Sequence, residues 1–214
     1  MADLPSTVAY LDDIIVTGKI SEYHKKNLNS LLDRLSTAGF TCKLEKCKFF
    51  QNEVEYLGHK IDKRGIKPSN ENIKAIKLLP EPKNLLELMS FLGKVDFYRK
   101  FVPSFADMAE PLNELRRASK QFRWGRIESE AFKKLKLAII HATTLTHYDT
   151  FNELLLATDA SSVGLGAVIL HRYEDGRELT IAHASKTLFG SQRNYSQIEK
   201  EGLAIVFGIK KFHQ

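Results

Sequence analysis

The sequence has little that could staple a fold or place it in a membrane. Its 214 residues include two cysteines, Cys42 and Cys47. That is too few for a disulfide framework, and with only His59 nearby it is too few for a four-ligand zinc site. They read as small reduced thiols, which fits an intracellular compartment. No window approaches 18 uncharged apolar residues, and Met1 is followed by Ala2-Asp3-Leu4-Pro5 without a basic or apolar leader. The expectation is therefore a chain that is soluble and not secreted. Gly164-x-Gly166 lacks the third glycine of a dinucleotide fingerprint, and the seven histidines form no HExxH or Ser-His-Asp order. There is no internal repeat and no low-complexity tract.

What is present is ordinary globular composition, 43% hydrophobic and 27% charged, with a formal charge of +6. That charge is unevenly spread. Residues 1–58 carry 7 Lys/Arg against 8 Asp/Glu, residues 59–126 carry 15 against 8, and residues 127–214 carry 10 against 10. A basic middle between near-neutral, carboxylate-bearing flanks suits a polyanion in the middle. A solvated lysine-rich helical surface would have the same composition.

Val8 to Leu11 and Ile14 to Thr17 are β-prone runs separated by Asp12-Asp13, the pattern of a two-residue hairpin with both carboxylates at its tip. Ser21 then caps a helix with Leu28, Leu31, Leu32, Leu35 and Ala38 on one face, ended by Gly39. A strand is expected over Phe40 to Leu44, and a hairpin from Phe49-Phe50 and Val54 to Ile61 that closes near Lys63-Arg64-Gly65. From Pro68 the character is helical. Ser69 leads a turn with Ile73, Ile76 and Leu79, and Asn84 with Glu87 makes a capping box before Leu85, Leu88, Met89, Leu92 and Val95. Further helices are expected over Ser104 to Arg117 and Glu128 to His141, around a polar patch at Ser119 to Gln121 and the sole Trp124. Strands return at Leu154 to Asp159, Gly164 to His171 and Leu179 to Ala184, and a helix runs from Ser196 to the end. A three-stranded meander with one helix is a sheet only partly covered.

Four acids stand where acids are uncomfortable. Asp12 and Asp13 interrupt an apolar hairpin, although a plain polar turn explains them equally well. Asp159 ends the run Leu154-Leu155-Leu156-Ala157 on the Leu155 and Ala157 face, and Glu201 lies on the helix face of Ile198, Ile205, Ile209 and Phe212. A buried carboxylate has to be paired, protonated or bound to a cation. A helix packed on this strand would bring Asp159 and Glu201 face to face. Hard oxygen donors without a His or Cys cluster select Mg2+ or Mn2+, the metals of two-metal phosphoryl transfer. The alternative is an ion pair of Glu201 with Lys186 or Lys200. Phe97, Tyr98 and Phe101 interleaved with Arg99 and Lys100 would stack on and clamp a nucleic-acid strand, or pack a small helical core.

Taken in order, these residues become recognisable. Tyr10-Leu11-Asp12-Asp13, Tyr56-Leu57-Gly58-His59, and Ser90-Phe91-Leu92-Gly93 with Phe97-Tyr98-Arg99-Lys100-Phe101 resemble the reverse transcriptase palm and thumb of gypsy-type LTR retrotransposon polyproteins. Trp124, Glu130-Ala131-Phe132-x-x-Leu135-Lys136, Thr158-Asp159-Ala160-Ser161, Gly164-x-Gly166-Ala167-Val168 and Asn194-Tyr195-Ser196-x-x-Glu199-x-Glu201 resemble the adjoining ribonuclease H-like domain. The resemblance covers the chain from residue 8 onward.

The resemblance implies an α+β fold. A partial palm of antiparallel hairpins plus a helix spans 1–62, and a basic thumb-like helical segment spans 63–126. A connector spans 127–150, and an incomplete ribonuclease H-like three-stranded sheet plus helix spans 151–214. It implies an RNA-directed DNA polymerase and RNA:DNA-hybrid ribonuclease using Mg2+ or Mn2+. Asp12 and Asp13 are then acids of the polymerase site, with Asp12 the expected metal ligand, and Asp159 and Glu201 are acids of the ribonuclease site. Nucleic acid is met by Tyr10, by Tyr56, Leu57, Gly58 and His59 at the primer backbone, and by Tyr98, Arg99 and Lys100. The implied partners are an RNA:DNA or DNA template-primer duplex and the remaining polyprotein segments: fingers and upstream palm, the rest of the ribonuclease, and integrase. No membrane is involved, and the implied location is the cytoplasm, within a virus-like particle, or the nucleus.

The family also needs a further palm Asp, a fingers domain and a later ribonuclease Asp, so the isolated chain is expected to be inactive. The alternatives are a non-catalytic nucleic-acid-binding module, or an interaction protein whose open sheet edges need a partner.

Overall fold

The hairpin expected at the start of the chain forms, one residue out of place. In the computed structural model, which describes residues 4–117 and 122–213, β1 (Thr7–Tyr10) pairs antiparallel with β2 (Asp13–Val16). Tyr10 stands opposite Asp13, so the loop is Leu11-Asp12 rather than Asp12-Asp13. The shift keeps a two-residue loop and puts Leu11, not an Asp, in the left-handed region at φ 50°. Helix α1 (Ser21–Thr37) follows, with Leu31 and Leu35 buried and Asn27 Nδ2 donating to the Thr17 carbonyl at 2.9 Å. The strand expected at Phe40 to Leu44 does not form. Phe40 N–H caps the helix by donating to the Leu35 carbonyl, and a 3₁₀ turn, Leu44–Lys46, comes next. Among the described residues no strand pairs with this segment, and Phe40 and Leu44 lie exposed. Strand β3 (Glu53–Tyr56) ends the first of two compact units, which spans Met1–Leu57.

The second unit is Gly58–Gln214. The run Val54 to Ile61 is broken by a turn at Leu57 and Gly58, both at positive φ, so β4 (His59–Asp62) is a separate strand. It pairs with β5 (Gly65–Pro68) through the Lys63-Arg64 turn. Asp62 accepts from the Arg64 backbone and guanidinium, and these bonds hold its carboxyl down at about 2.

Two helices form where caps and periodicity place them, α2 (Asn70–Leu78) and α3 (Leu85–Asp96), and α4 (Phe105–Glu114) forms without a side-chain cap at Ser104 and ends before the expected Arg117. Asn84 Oδ1 accepts from Glu87 N–H at 2.9 Å, and Glu87 returns a bond to Lys83 N–H. Helix α5 (Arg126–Ile140) joins the same core, where the Phe91 and Phe132 ring centroids lie 4.5 Å apart. Leu137 on this helix is exposed, and the polar patch at Ser119 to Gln121 lies outside the described residues. Glu81 ties the loop before α3 to α5, accepting from Trp124 Nε1 at 2.8 Å and Ser129 Oγ at 2.7 Å.

The last sheet has the order β6 (Glu153–Ala160), β7 (Gly164–Arg172), β8 (Glu178–Thr187), all antiparallel. Helix α6 (Gln197–Phe212) follows, with Ser196 and Glu199 forming a full capping box. The helix presents Lys200, Ala204 and Gly208 inward, with Leu203 and Phe207 beside them, while Ile198, Ile205 and Ile209 are exposed. This overturns the expected Ile198/Ile205/Phe212 packing face. A close crossing needs small side chains. Gly208 lies against Leu156 and Thr158, where a Cβ would meet their side chains at 3.0 to 3.1 Å.

Candidate functional site

Strand alternation decides how the ribonuclease-like acids stand. Since α6 covers the Leu156, Thr158 and Ala160 face of β6, Asp159 belongs to the opposite face, and it is solvent-exposed. The two carboxylates do not meet inside the helix–sheet interface. Glu201 is tied at its end to the backbone beside Asp159 instead. Gln197 Nε2 donates to the Ala160 carbonyl at 2.9 Å and to Glu201 Oε1 at 2.6 Å. Glu201 is half-buried, and neither Lys186 nor Lys200 pairs with it among the described residues. Asp12 and Asp13 are both exposed at the first hairpin, beside the exposed Tyr10. Among the described residues, no three His, Cys, Asp or Glu side chains gather as a metal cluster.

In the first unit, Tyr56 and Leu57 close β3. In the second, Gly58 and His59 open an aromatic cluster. The His59 ring lies 5.0 Å from Phe97, 6.0 Å from Tyr98 and 5.6 Å from Phe101. Tyr98 is buried and donates its hydroxyl to the Gly58 carbonyl at 3.3 Å, with Asn72 Nδ2 on the same carbonyl at 3.4 Å. Burial pushes the Tyr98 phenol up. Tyr98 thus shapes the turn from behind. Arg99 Nη2 is committed to the Ser185 carbonyl at 2.6 Å and lies over Phe105. Lys100 lies over the Phe101 ring, and burial lowers its pKa. Phe101 is fully buried and Phe97 is half exposed.

The outer face of α3 was not singled out from sequence. Leu86, Met89 and Phe97 are exposed along one stripe with Ser90 and Gly93 between them, and nothing lies within 4 Å of a Cβ added at Gly93. Beside the stripe, Lys94, Phe97 and Tyr98 with Asn72, Ala75, Ile76 and Leu79 line a groove of about 280 Å³. The signal was an excess of apolar residues: Leu88, Phe91, Leu92 and Val95 already fill the core face of α3.

Comparison with known proteins accounts for both ends. Residues 4–61 match the family "Reverse transcriptase (RNA-dependent DNA polymerase)", and residues 124–214 match "RNase H-like domain found in reverse transcriptase". The chain belongs to the reverse transcriptase and ribonuclease H-like part of the LTR retrotransposon polyproteins. The Tf2-3 polyprotein of Schizosaccharomyces pombe is 34% identical over 203 residues, 95% of this chain and 15% of that protein. The Tf2-7 polyprotein of the same yeast is 33% identical over the same length. This retrotransposon chain thus spans about one seventh of the curated relatives it matches. Among solved structures, a foamy viral protease-reverse transcriptase in complex with dsDNA superposes with a TM-score of 0.85 at 26% identity, covering 98% of this chain and 37% of that one. The foamy viral enzyme with an RNA/DNA hybrid gives 0.83 at 26% identity, covering 98% and 28%. The α+β reading and the family assignment hold. Among the described residues no helix is long and apolar enough to cross a membrane.

Proposed function

We propose that this chain binds a template-primer or RNA:DNA duplex along its basic helical segment and presents carboxylates for two-metal phosphoryl transfer at both ends. The outer face of α3 carries this reading. An exposed aromatic, Phe97, and a lysine, Lys94, flank a gap at Ser90 and Gly93 where a backbone can approach closely, beside the rigid Gly58 turn. The relatives solved with dsDNA and an RNA/DNA hybrid support it. In this reading the palm ends near residue 62. Helix α5 works with the thumb-like helices because Phe132 and Phe91 share a core, and residues 151–214 are the ribonuclease H-like part.

The donors fit Mg2+ or Mn2+ in type, being carboxylate oxygens, with Asp12 and Asp13 at one site and Asp159 and Glu201 at the other. Such an ion, when bound, would activate the attacking oxygen and stabilise the leaving one. Two acids apiece would supply only some of its oxygen ligands, the rest coming from water and nucleic-acid phosphates. The upstream palm, fingers, later ribonuclease strands and integrase complete the enzyme in this reading, within an intracellular particle or nucleus. Gln197 orients Glu201 toward the end of β6.

The deciding experiment is Mg2+-dependent cleavage of an RNA:DNA hybrid by the pure chain. Cleavage lost in Asp159→Asn establishes a ribonuclease. Hybrid binding without cleavage upholds duplex binding by this chain; cleavage gained when the completing ribonuclease segment is added, and lost again in Asp159→Asn, separates the catalytic reading from the second one, a non-catalytic nucleic-acid-binding module. No hybrid binding overturns both.

A further inference from the structure

Helix α4 serves two cores at once. Phe105, Ala109 and Leu112 enter the helical core, while Ala106 N–H donates at 3.0 Å to the hydroxyl of Ser185, a buried residue of β8. Arg99 takes the carbonyl of the same serine. Near the other end of α4, Arg193 pairs with the buried Glu110 and lies 3.5 Å from Glu114, while its Nε holds the Leu188 carbonyl at 2.9 Å. Gly164 completes the seam, since a Cβ there would collide with Asp107 Oδ1. The chain between α5 and β6 is strapped down as well. Leu145 and Ile66 exchange backbone bonds at 2.8 Å, Thr146 N–H reaches Thr180, and Asp149 N–H donates to His171 Nε2 at 2.8 Å.

We infer that α4 is a strut locking the helical segment and the ribonuclease H-like sheet into one body. Ser185, Glu110 and Arg193 are its positioning residues, setting where a duplex tracked by α3 meets Asp159 and Glu201. The inference rests on the nucleic-acid reading above. Arg193 stands three residues before the Ser196 cap of the helix that carries Gln197 and Glu201, so displacing it displaces the acid. Burial and the neighbouring Glu114 raise the Glu110 pKa, while Arg193 pulls it down. A buried pair of that kind serves geometry more than stability.

The test uses the full chain carrying C42S and C47S. An iron chelate tethered at S162C, on the exposed turn between β6 and β7, is used to map backbone cuts on an end-labelled RNA:DNA hybrid. The parent should cut within one narrow window. Arg193→Met and Ser185→Val should lose that window without losing hybrid affinity, and Arg193→Lys should restore it in part. Amide exchange on the free protein is the second arm, where α4 and β8 should open together in the parent and separately in Arg193→Met. Diffuse cuts in the parent, unchanged cuts in both variants, or independent opening of α4 and β8 in the parent would each overturn the strut. If the hybrid fails to bind, the nucleic-acid reading falls and amide exchange alone decides the strut.

Discussion

Gln197 donates one amide to both the Ala160 carbonyl and Glu201, tying the end of the strand that carries Asp159 to the acid on the packed helix. Gln197→Leu should remove about 0.5–1.5 kcal/mol, the usual net value of such bonds. Asp159→Asn should stay within about 0.5 kcal/mol of the parent in metal-free buffer, because the carboxylate is exposed and has no protein partner among the described residues. Thermal melts check both. A strong loss in Asp159→Asn would make that acid a structural ion-pair partner.

Gly58 has φ +72°, and an added Cβ would sit 2.9 Å from Asn72 Nδ2 and 3.1 Å from the Tyr98 hydroxyl. Gly58→Ala should therefore cost about 1–3 kcal/mol through backbone strain and displaced polar groups. Tyr98→Phe should cost only about 0.5–1.5 kcal/mol, the value of one neutral hydrogen bond. Urea unfolding midpoints separate the two, and equal losses would contradict the strain argument.

Glu81 has its pKa lowered from 4.5, first by the Ser129 hydroxyl and next by the Trp124 indole. A carboxylate depressed on folding contributes stability that is fully present above its unfolded value and is lost as pH falls through its folded value. Acidification below pH 4.5 should therefore erode stability in the parent more than in Glu81→Ala, as followed by the fluorescence of Trp124. Parallel acid curves for the two proteins would show that Glu81 contributes no such linkage.

Lys94→Gln should weaken hybrid binding across sequences and lower the slope of log K against log salt by about 1, as expected for one lost phosphate contact. Phe97→Ala should weaken binding by about 1–3 kcal/mol with the salt slope unchanged, since stacking releases no counterion. Lys94→Gln should leave the melting temperature unchanged because that side chain is exposed, whereas Phe97→Ala should also lower it through the lost ring contact with His59. Filter binding at several salt concentrations provides the measurement.

Much of the local structure was legible in the sequence. Asn84 with Glu87, and Ser69 at its cap position, are local hydrogen-bonding devices, so spacing alone placed α2 and α3. The motifs around Asp12, Tyr56, Asp159 and Glu201 placed the chain in its family. What only the tertiary structure decided was which faces meet. The α6 pattern advertised Ile198, Ile205 and Ile209, yet close approach to Thr158 and Ala167 required the small residues Ala204 and Gly208. That choice left Asp159 on the opposite face of its strand. The strand expected at Phe40 failed for a comparable reason, since β-structure needs a neighbouring edge that local sequence cannot supply. The bonds that hold Tyr98 and Arg99 go to partners 40 and 86 residues away, to which periodicity is blind. Short-range spacing determines caps and periods, whereas burial and face selection are settled by contacts distant in sequence.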